Sequence, residues 1–137
     1  MKSSTISVPI IAISAAFFLS WLGILYAGAD HPPPPGFLLL VLIDLLAAGL
    51  VYWRVPTYMN WSRELKKNRW FLALLEGTAA GLAIAGVMLV FLGSGEPGVQ
   101  PSFTDYMVWL AVSGVVGATN AGLVYGLSAY LSRKITT

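Results

Sequence analysis

The sequence predicts an all-α integral membrane protein whose four transmembrane helices form two hairpins, with both chain termini in the cytoplasm. Three observations support this prediction: a composition poor in charge, four long apolar stretches, and basic residues confined to one side of those stretches. Of the 137 residues, 57% are hydrophobic and only 10% are charged, and the mean hydropathy is +0.75. A soluble domain carries roughly 25% charged residues, so this composition excludes an ordinary soluble enzyme.

Each apolar stretch is close to the ~20 residues that a helix needs to cross ~30 Å of hydrocarbon. Only helices and closed barrels satisfy their backbone in lipid, and stretches without alternating polarity favour helices. We expect a single membrane domain, 1–137, with spans at residues 6–27, 36–53, 70–92 and 106–131.

The first span has one competing interpretation. Its end, Ala27-Gly28-Ala29, is similar to the cleavage site of a signal peptide. The apolar stretch before it is longer than the ~7–15 residues of a signal-peptide core. We therefore expect a span that is retained.

The basic residues predict the orientation. The loops at 30–35 and 93–105 contain no Lys or Arg. All eight basic residues lie near the termini or the middle loop: Lys2, Arg54, Arg63, Lys66, Lys67, Arg69, Arg133 and Lys134. Under the positive-inside rule, both termini and the middle loop are cytoplasmic. The expected location is the cell (inner) membrane, as a multi-pass protein.

The two outer turns have the same spacing. Asp30 and Glu96 are each followed by four residues, a Pro, a small residue and a Phe. A duplicated hairpin would explain the match, but chance is favoured because the acids within the spans do not repeat. Prolines 32–35 favour a rigid turn over a docking segment. His31 has too few neighbouring ligands for a metal site, and we expect it at the surface.

Two acidic residues interrupt the spans. Asp44 lies nine residues before Trp53, or ~13 Å from the cytoplasmic boundary, and Glu76 lies six residues after Trp70, or ~9 Å from it. A charge at the centre of a span costs roughly 2.5–3.5 kcal/mol. Because consecutive spans are antiparallel, the two carboxyls could meet. At least one is expected to be protonated at neutral pH, since burial and a like charge both favour the neutral form.

Small residues follow both acids at three and four positions, which predicts that Asp44 and Glu76 face other helices and not lipid. Asn120, ~16 Å deep in the fourth span, could hydrogen-bond a carboxyl group. Such bonds average only about 0.6 kcal/mol. The pattern predicts an ion- or proton-binding site at Asp44, Glu76 and Asn120, with structural hydrogen bonding as the alternative.

Small residues also recur every four positions along the third and fourth spans. Such ridges allow close contact between helices, but the pattern cannot decide whether the contact is within one chain or between chains. The predicted packing residues are Gly77, Gly81, Gly114, Ala118, Gly122 and Gly126.

The middle loop is basic and short. Basic residues beside a span attract anionic lipids by about 1 kcal/mol each. We expect lipid headgroup contacts at Arg63, Lys66, Lys67 and Arg69, and no binding of nucleic acid.

No recognisable catalytic motif is present. The chain has no cysteine, no phosphate-binding glycine loop, no His-Glu-x-x-His and no Gly-x-Ser-x-Gly. We expect no enzyme activity, metal or cofactor. The favoured function is an oligomeric transporter or channel protomer that uses intramembrane carboxylates for proton or cation coupling. The alternative is a non-transporting accessory or assembly subunit of a larger membrane complex. The expected partners are therefore the lipid bilayer and either further copies of the chain or a membrane complex.

Overall fold

Four helices account for nearly all of the chain that the structure describes. The computed structural model describes residues 2–28, 36–64, 69–92 and 102–136. These contain α1 (Lys2–Gly28), α2 (Phe37–Arg63), α3 (Arg69–Leu92) and α4 (Phe103–Thr136). All four are long and apolar enough to cross a membrane, which is the architecture of a multi-pass membrane protein.

Two helices extend well beyond the apolar stretches that predicted them. α2 continues to Arg63 with Pro56 inside it, and α4 is 34 residues long. At ~1.5 Å per residue, α4 measures about 51 Å, which exceeds a hydrocarbon core of ~30 Å. Hydropathy detects only the apolar part of a helix, so the polar continuations were missed.

The start of α4 is fixed by a capping box. The backbone N–H of Asp105 donates to Ser102 Oγ at 3.2 Å, and the backbone N–H of Ser102 donates to Asp105 Oδ2 at 3.0 Å. Each side chain thereby satisfies a backbone donor that has no partner within the helix.

The chain divides into two compact units. Unit 1 contains Met1–Lys66 and Val124–Thr137, and unit 2 contains Lys67–Leu123. In unit 1, α1 and α2 pack as a hairpin, with the rings of Tyr26 and Phe37 6.4 Å apart where the two helices adjoin.

Unit 1 also joins α2 to the last turns of α4. The rings of Tyr58 and Tyr125 are 5.6 Å apart, and Arg63 Nε donates to Ser132 Oγ at 2.7 Å. Since both contacts advance in the same direction along the two helices, these segments are parallel. Val55, three residues before Tyr58 on α2, has no exposed surface.

In unit 2, α3 packs against the first part of α4. A Cβ atom at Gly77 would overlap the carbonyl oxygen of Gly117 and the side chain of Ala121, and one at Gly81 would overlap the carbonyl oxygen of Ser113. The partners run in opposite directions along the two helices, so the pair is antiparallel. Only glycine permits the two backbones to approach this closely.

Large apolar side chains cover the outside of the helices. Leu46 is 71% exposed, and similar side chains are exposed along all four helices. Many of the buried residues are small, such as Ala48, Ala73 and Ala85. This distribution differs from that of a water-soluble domain, whose large aliphatic side chains are mostly buried, and it fits helices covered by lipid.

Candidate functional site

Asp44 is the buried acidic residue of α2. Its side chain is only 5% exposed, and both carboxyl oxygens are buried. Neither oxygen has a hydrogen-bond partner in the part of the chain that the structure describes. An acidic group that is buried and unpartnered loses its hydration without compensation, so burying it costs free energy.

Asp44 lies on the buried face of α2. Ala48, one turn further on, is buried on the same side of the helix, whereas Leu45 and Leu46 are exposed. Residues four apart share a helix face. The prediction that Asp44 faces inward along a small-residue face agrees with this burial.

The other two predicted site residues lie in a different unit. Asp44 belongs to unit 1, while Glu76 of α3 and Asn120 of α4 belong to unit 2. Both Glu76 and Asn120 are partly buried. A meeting of Asp44 with either of them stays a prediction.

The amide of Asn120 bonds to its own helix. Its Nδ2 donates to the carbonyl oxygen of Val116 at 2.7 Å. Other polar side chains do the same with the carbonyl four residues earlier, as is common for hydroxyls in apolar helices. These donors are Ser14, Thr78, Thr119 and Ser128.

The closest helix contact involves a row of residues that the sequence analysis did not select. α3 meets α4 at Ser113, Gly117 and Ala121. These residues also recur every four positions, so the same pattern could have found them. The two rows lie side by side on one helix, and spacing alone does not choose between them.

The predicted packing glycines have unequal surroundings. Gly77 and Gly81 lie in the closest part of the contact. A Cβ at Gly114 would lie 3.5 Å from the Thr78 side chain, and one at Gly122 would lie 3.1 Å from the Leu74 side chain. Nothing lies within 4 Å of a Cβ at Gly126. Ala118, the remaining member of the predicted set, is partly buried.

Of the basic residues of α2, Arg54 has three aromatic neighbours. Arg54 Cζ lies 5.2 Å from the ring centre of Trp53, 5.6 Å from that of Tyr58 and 5.3 Å from that of Trp61. These are cation–π distances. Arg63 is exposed at the end of α2, and Arg69 is partly buried at the start of α3.

Some predicted features lie outside the described residues. These are the headgroup contacts at Lys66 and Lys67 and the two outer turns, including Asp30, His31, prolines 32–35 and Glu96. Within the described ranges, no group of three His, Cys, Asp or Glu side chains is arranged to hold a metal ion.

Comparison with known proteins gives no relative from which a function could be transferred. No protein family, no curated protein and no solved structure matches this chain. The function is therefore argued from the chemistry of the chain's own residues.

Proposed function

We propose that this protein is a multi-pass protein of the cell (inner) membrane that transports protons or cations as an oligomeric transporter or channel protomer. In this proposal the termini and the α2–α3 loop are cytoplasmic, and Asp44 binds the transported ion. The observation that carries the proposal is the burial of both Asp44 carboxyl oxygens without a hydrogen-bond partner among the described residues.

The energetic argument starts from the cost of a lone charge. Asp44 lies on an apolar helix of membrane-spanning length. An ionised carboxylate at the centre of a span costs roughly 2.5–3.5 kcal/mol. Binding a proton or a cation removes that cost. A residue that must bind an ion to be stable is suited to carry one across the bilayer.

Hydrogen bonding provides a second argument, which applies to the proton. Polar side chains on these helices donate to the carbonyl four residues earlier, as Ser14 and Thr78 do. An ionised carboxylate has no proton to donate, whereas a protonated one gains a hydroxyl donor. The carbonyl of Leu40 has the corresponding position before Asp44. Proton binding would therefore give this side chain a partner on its own helix.

Glu76 and Asn120 are proposed as further members of the pathway. Glu76 is an acidic residue in the second turn of the apolar helix α3, and intramembrane acids commonly mark ion and proton pathways. Asn120 has an amide oxygen that can accept from a protonated carboxyl. Because four helices enclose little volume, the proposal includes assembly into an oligomer.

The proposal is tested by flux measurements in liposomes. Wild-type protein is expected to move protons or a monovalent cation down an imposed gradient, and Asp44→Asn is expected to abolish that flux. The amide keeps the size of the side chain but cannot titrate. Glu76→Gln is expected to reduce the flux.

Asp105→Asn provides the matched control. It is the same chemical change at an exposed acid, and the asparagine oxygen can still accept the bond from the Ser102 N–H. Flux should stay at the wild-type level. Asp44→Asn protein that keeps full flux, or folded wild-type protein that moves no ion tested, would refute the transport proposal.

An accessory or assembly subunit is the second candidate. A Cβ at Gly126 would meet nothing within 4 Å, although Gly126 continues the small-residue ridge of α4. An open ridge of this kind suits contact with a helix of another protein. Purification separates the candidates, because co-purifying foreign subunits favour this one and a stable homo-oligomer favours transport.

A further inference from the structure

The paired ends of α2 and α4 contain an arginine held in a fixed orientation. Arg63 Nε donates to Ser132 Oγ at 2.7 Å. Ser132 is itself only 1% exposed, so it forms a fixed anchor. The Arg63 side chain is otherwise exposed. A long, flexible side chain is thus attached at one edge of its guanidinium to a buried point on another helix.

The bond to Ser132 uses only one of the guanidinium donors. The guanidinium carries five N–H groups in a planar fork. This bond is made by Nε alone, so it leaves the N–H groups of both Nη atoms unused. This leaves the outer edge free for two parallel bonds to one phosphate, which is the geometry that arginine favours.

The charge around this edge is strongly positive. Ser132 is followed directly by Arg133 and Lys134, and the Lys134 ammonium lies 5.0 Å from the ring centre of Tyr130. Among the described residues of these two helix ends, the only acid is Glu64. An anion is the ligand that such a cluster attracts.

We infer that the ends of α2 and α4 bind the phosphate of an anionic lipid headgroup, with Arg63 as the bidentate contact and Ser132 as its anchor. The aromatic rings that accompany the cations belong to the residue types that collect at membrane surfaces. Basic pockets between spans on the cytoplasmic side bind anionic headgroups. The inference uses the proposed membrane insertion and orientation, but it does not use the proposed transport.

Titration of the full-length protein with short-chain lipids tests the site. Phosphatidylglycerol is added to protein in a zwitterionic detergent, and binding is followed by native mass spectrometry and by thermal stabilisation. Wild-type protein is expected to bind phosphatidylglycerol in preference to phosphatidylcholine. Arg63→Ala should weaken binding about tenfold, since hydrogen bonds to charged groups are of that strength.

Two further variants separate the contribution of the bidentate guanidinium geometry to lipid binding from that of its positive charge. Arg63→Lys keeps the charge but loses the bidentate geometry, so it should retain only a small part of the affinity. Ser132→Ala removes the hydrogen bond that anchors the Arg63 guanidinium. Lipid binding should weaken about threefold, because the Arg63 side chain must then be ordered when the lipid binds. Circular dichroism and monodisperse elution check that each variant is folded.

Lys2→Ala is the matched control, since it removes one positive charge from the start of α1. Equal losses in Arg63→Ala and Lys2→Ala would overturn the inference in favour of unspecific charge attraction. It would also be overturned by full affinity in Ser132→Ala, by equal binding of phosphatidylcholine, or by displacement of the lipid by equimolar inorganic phosphate. None of these readouts depends on ion flux, so the transport proposal can fail separately.

Discussion

At the scale of single residues, Asp44 shows how one side chain can oppose the stability of its own fold. It is buried, acidic and without a hydrogen-bond partner among the described residues, whereas hydroxyl and amide side chains on the same kind of helix bond to their own backbone. A residue that only stabilised the bundle would be expected to have such a partner. The proposed role in ion binding gives a reason for a polar group in this position.

This contrast predicts a gain in stability when the acid is removed. Asp44→Leu should raise the free energy of unfolding by about 1–3 kcal/mol, because an unsatisfied buried polar group is replaced by an apolar one. Unfolding in detergent micelles with added dodecyl sulfate, followed by circular dichroism, measures the change. Glu76→Leu is the companion variant. Glu76 is only partly buried and has interactions of its own, so no gain is expected there. A loss of stability in Asp44→Leu would indicate a structural role for the acid.

At the scale of helices, the tight pairing of α3 with α4 depends on three glycines. Gly77, Gly81 and Gly117 bring backbone atoms of the two helices into direct contact. Without a hydrophobic effect between helices in lipid, such contacts contribute through close packing. The small residues of this contact are therefore used within one chain.

Adding a single methyl group tests the contact. Gly77→Ala should lower the free energy of unfolding by about 1–3 kcal/mol, because its Cβ would overlap backbone atoms that cannot move aside. Gly126→Ala is the matched control on α4. Its Cβ would meet open space, and alanine is a better helix former by about 1 kcal/mol. The dodecyl sulfate titration should therefore show a lower free energy of unfolding for Gly77→Ala and a higher one for Gly126→Ala. Equal changes in the two variants would argue against the close approach of the α3 and α4 backbones.

The sequence predicts the four helices but not their full lengths. Apolar runs of nearly 20 residues indicate where helices can cross lipid. They give no information on residues 54–63, where α2 continues through Pro56 among polar residues. Likewise, the sequence singles out Asp44, but the burial of both oxygens depends on tertiary packing. Two small-residue rows on α4 differ by one position, and only the structure shows that the row with Gly117 makes the closer contact with α3.

At the scale of the whole molecule, the distribution of charge predicts one orientation. In the sequence, the eight basic residues lie near the chain termini or in and beside the middle loop, and the loops at 30–35 and 93–105 have none. The positive-inside rule then places residues 3 and 136 in the cytoplasm and residue 94 outside. Both hairpins would turn at the outer surface.

The absence of native cysteine makes this orientation simple to test. Ser94→Cys should react with a membrane-impermeant maleimide on intact cells. Ser3→Cys and Thr136→Cys should react only after the membrane is permeabilised. Labelling of Ser3→Cys from outside would reverse the orientation or remove the first span from the membrane.

The acid in α2 also has a consequence for biosynthesis. A nascent helix enters the bilayer only if its apolar residues outweigh its polar ones, and Leu, Ile and Val each contribute about −0.3 to −0.6 kcal/mol near the centre. Asp44 opposes entry by roughly 2.5–3.5 kcal/mol. The run of Leu, Ile and Val from residue 38 to 46 nearly balances that term. The leucines around Asp44, which are exposed in the folded protein, are thus expected to favour entry of this helix into lipid from the translocon.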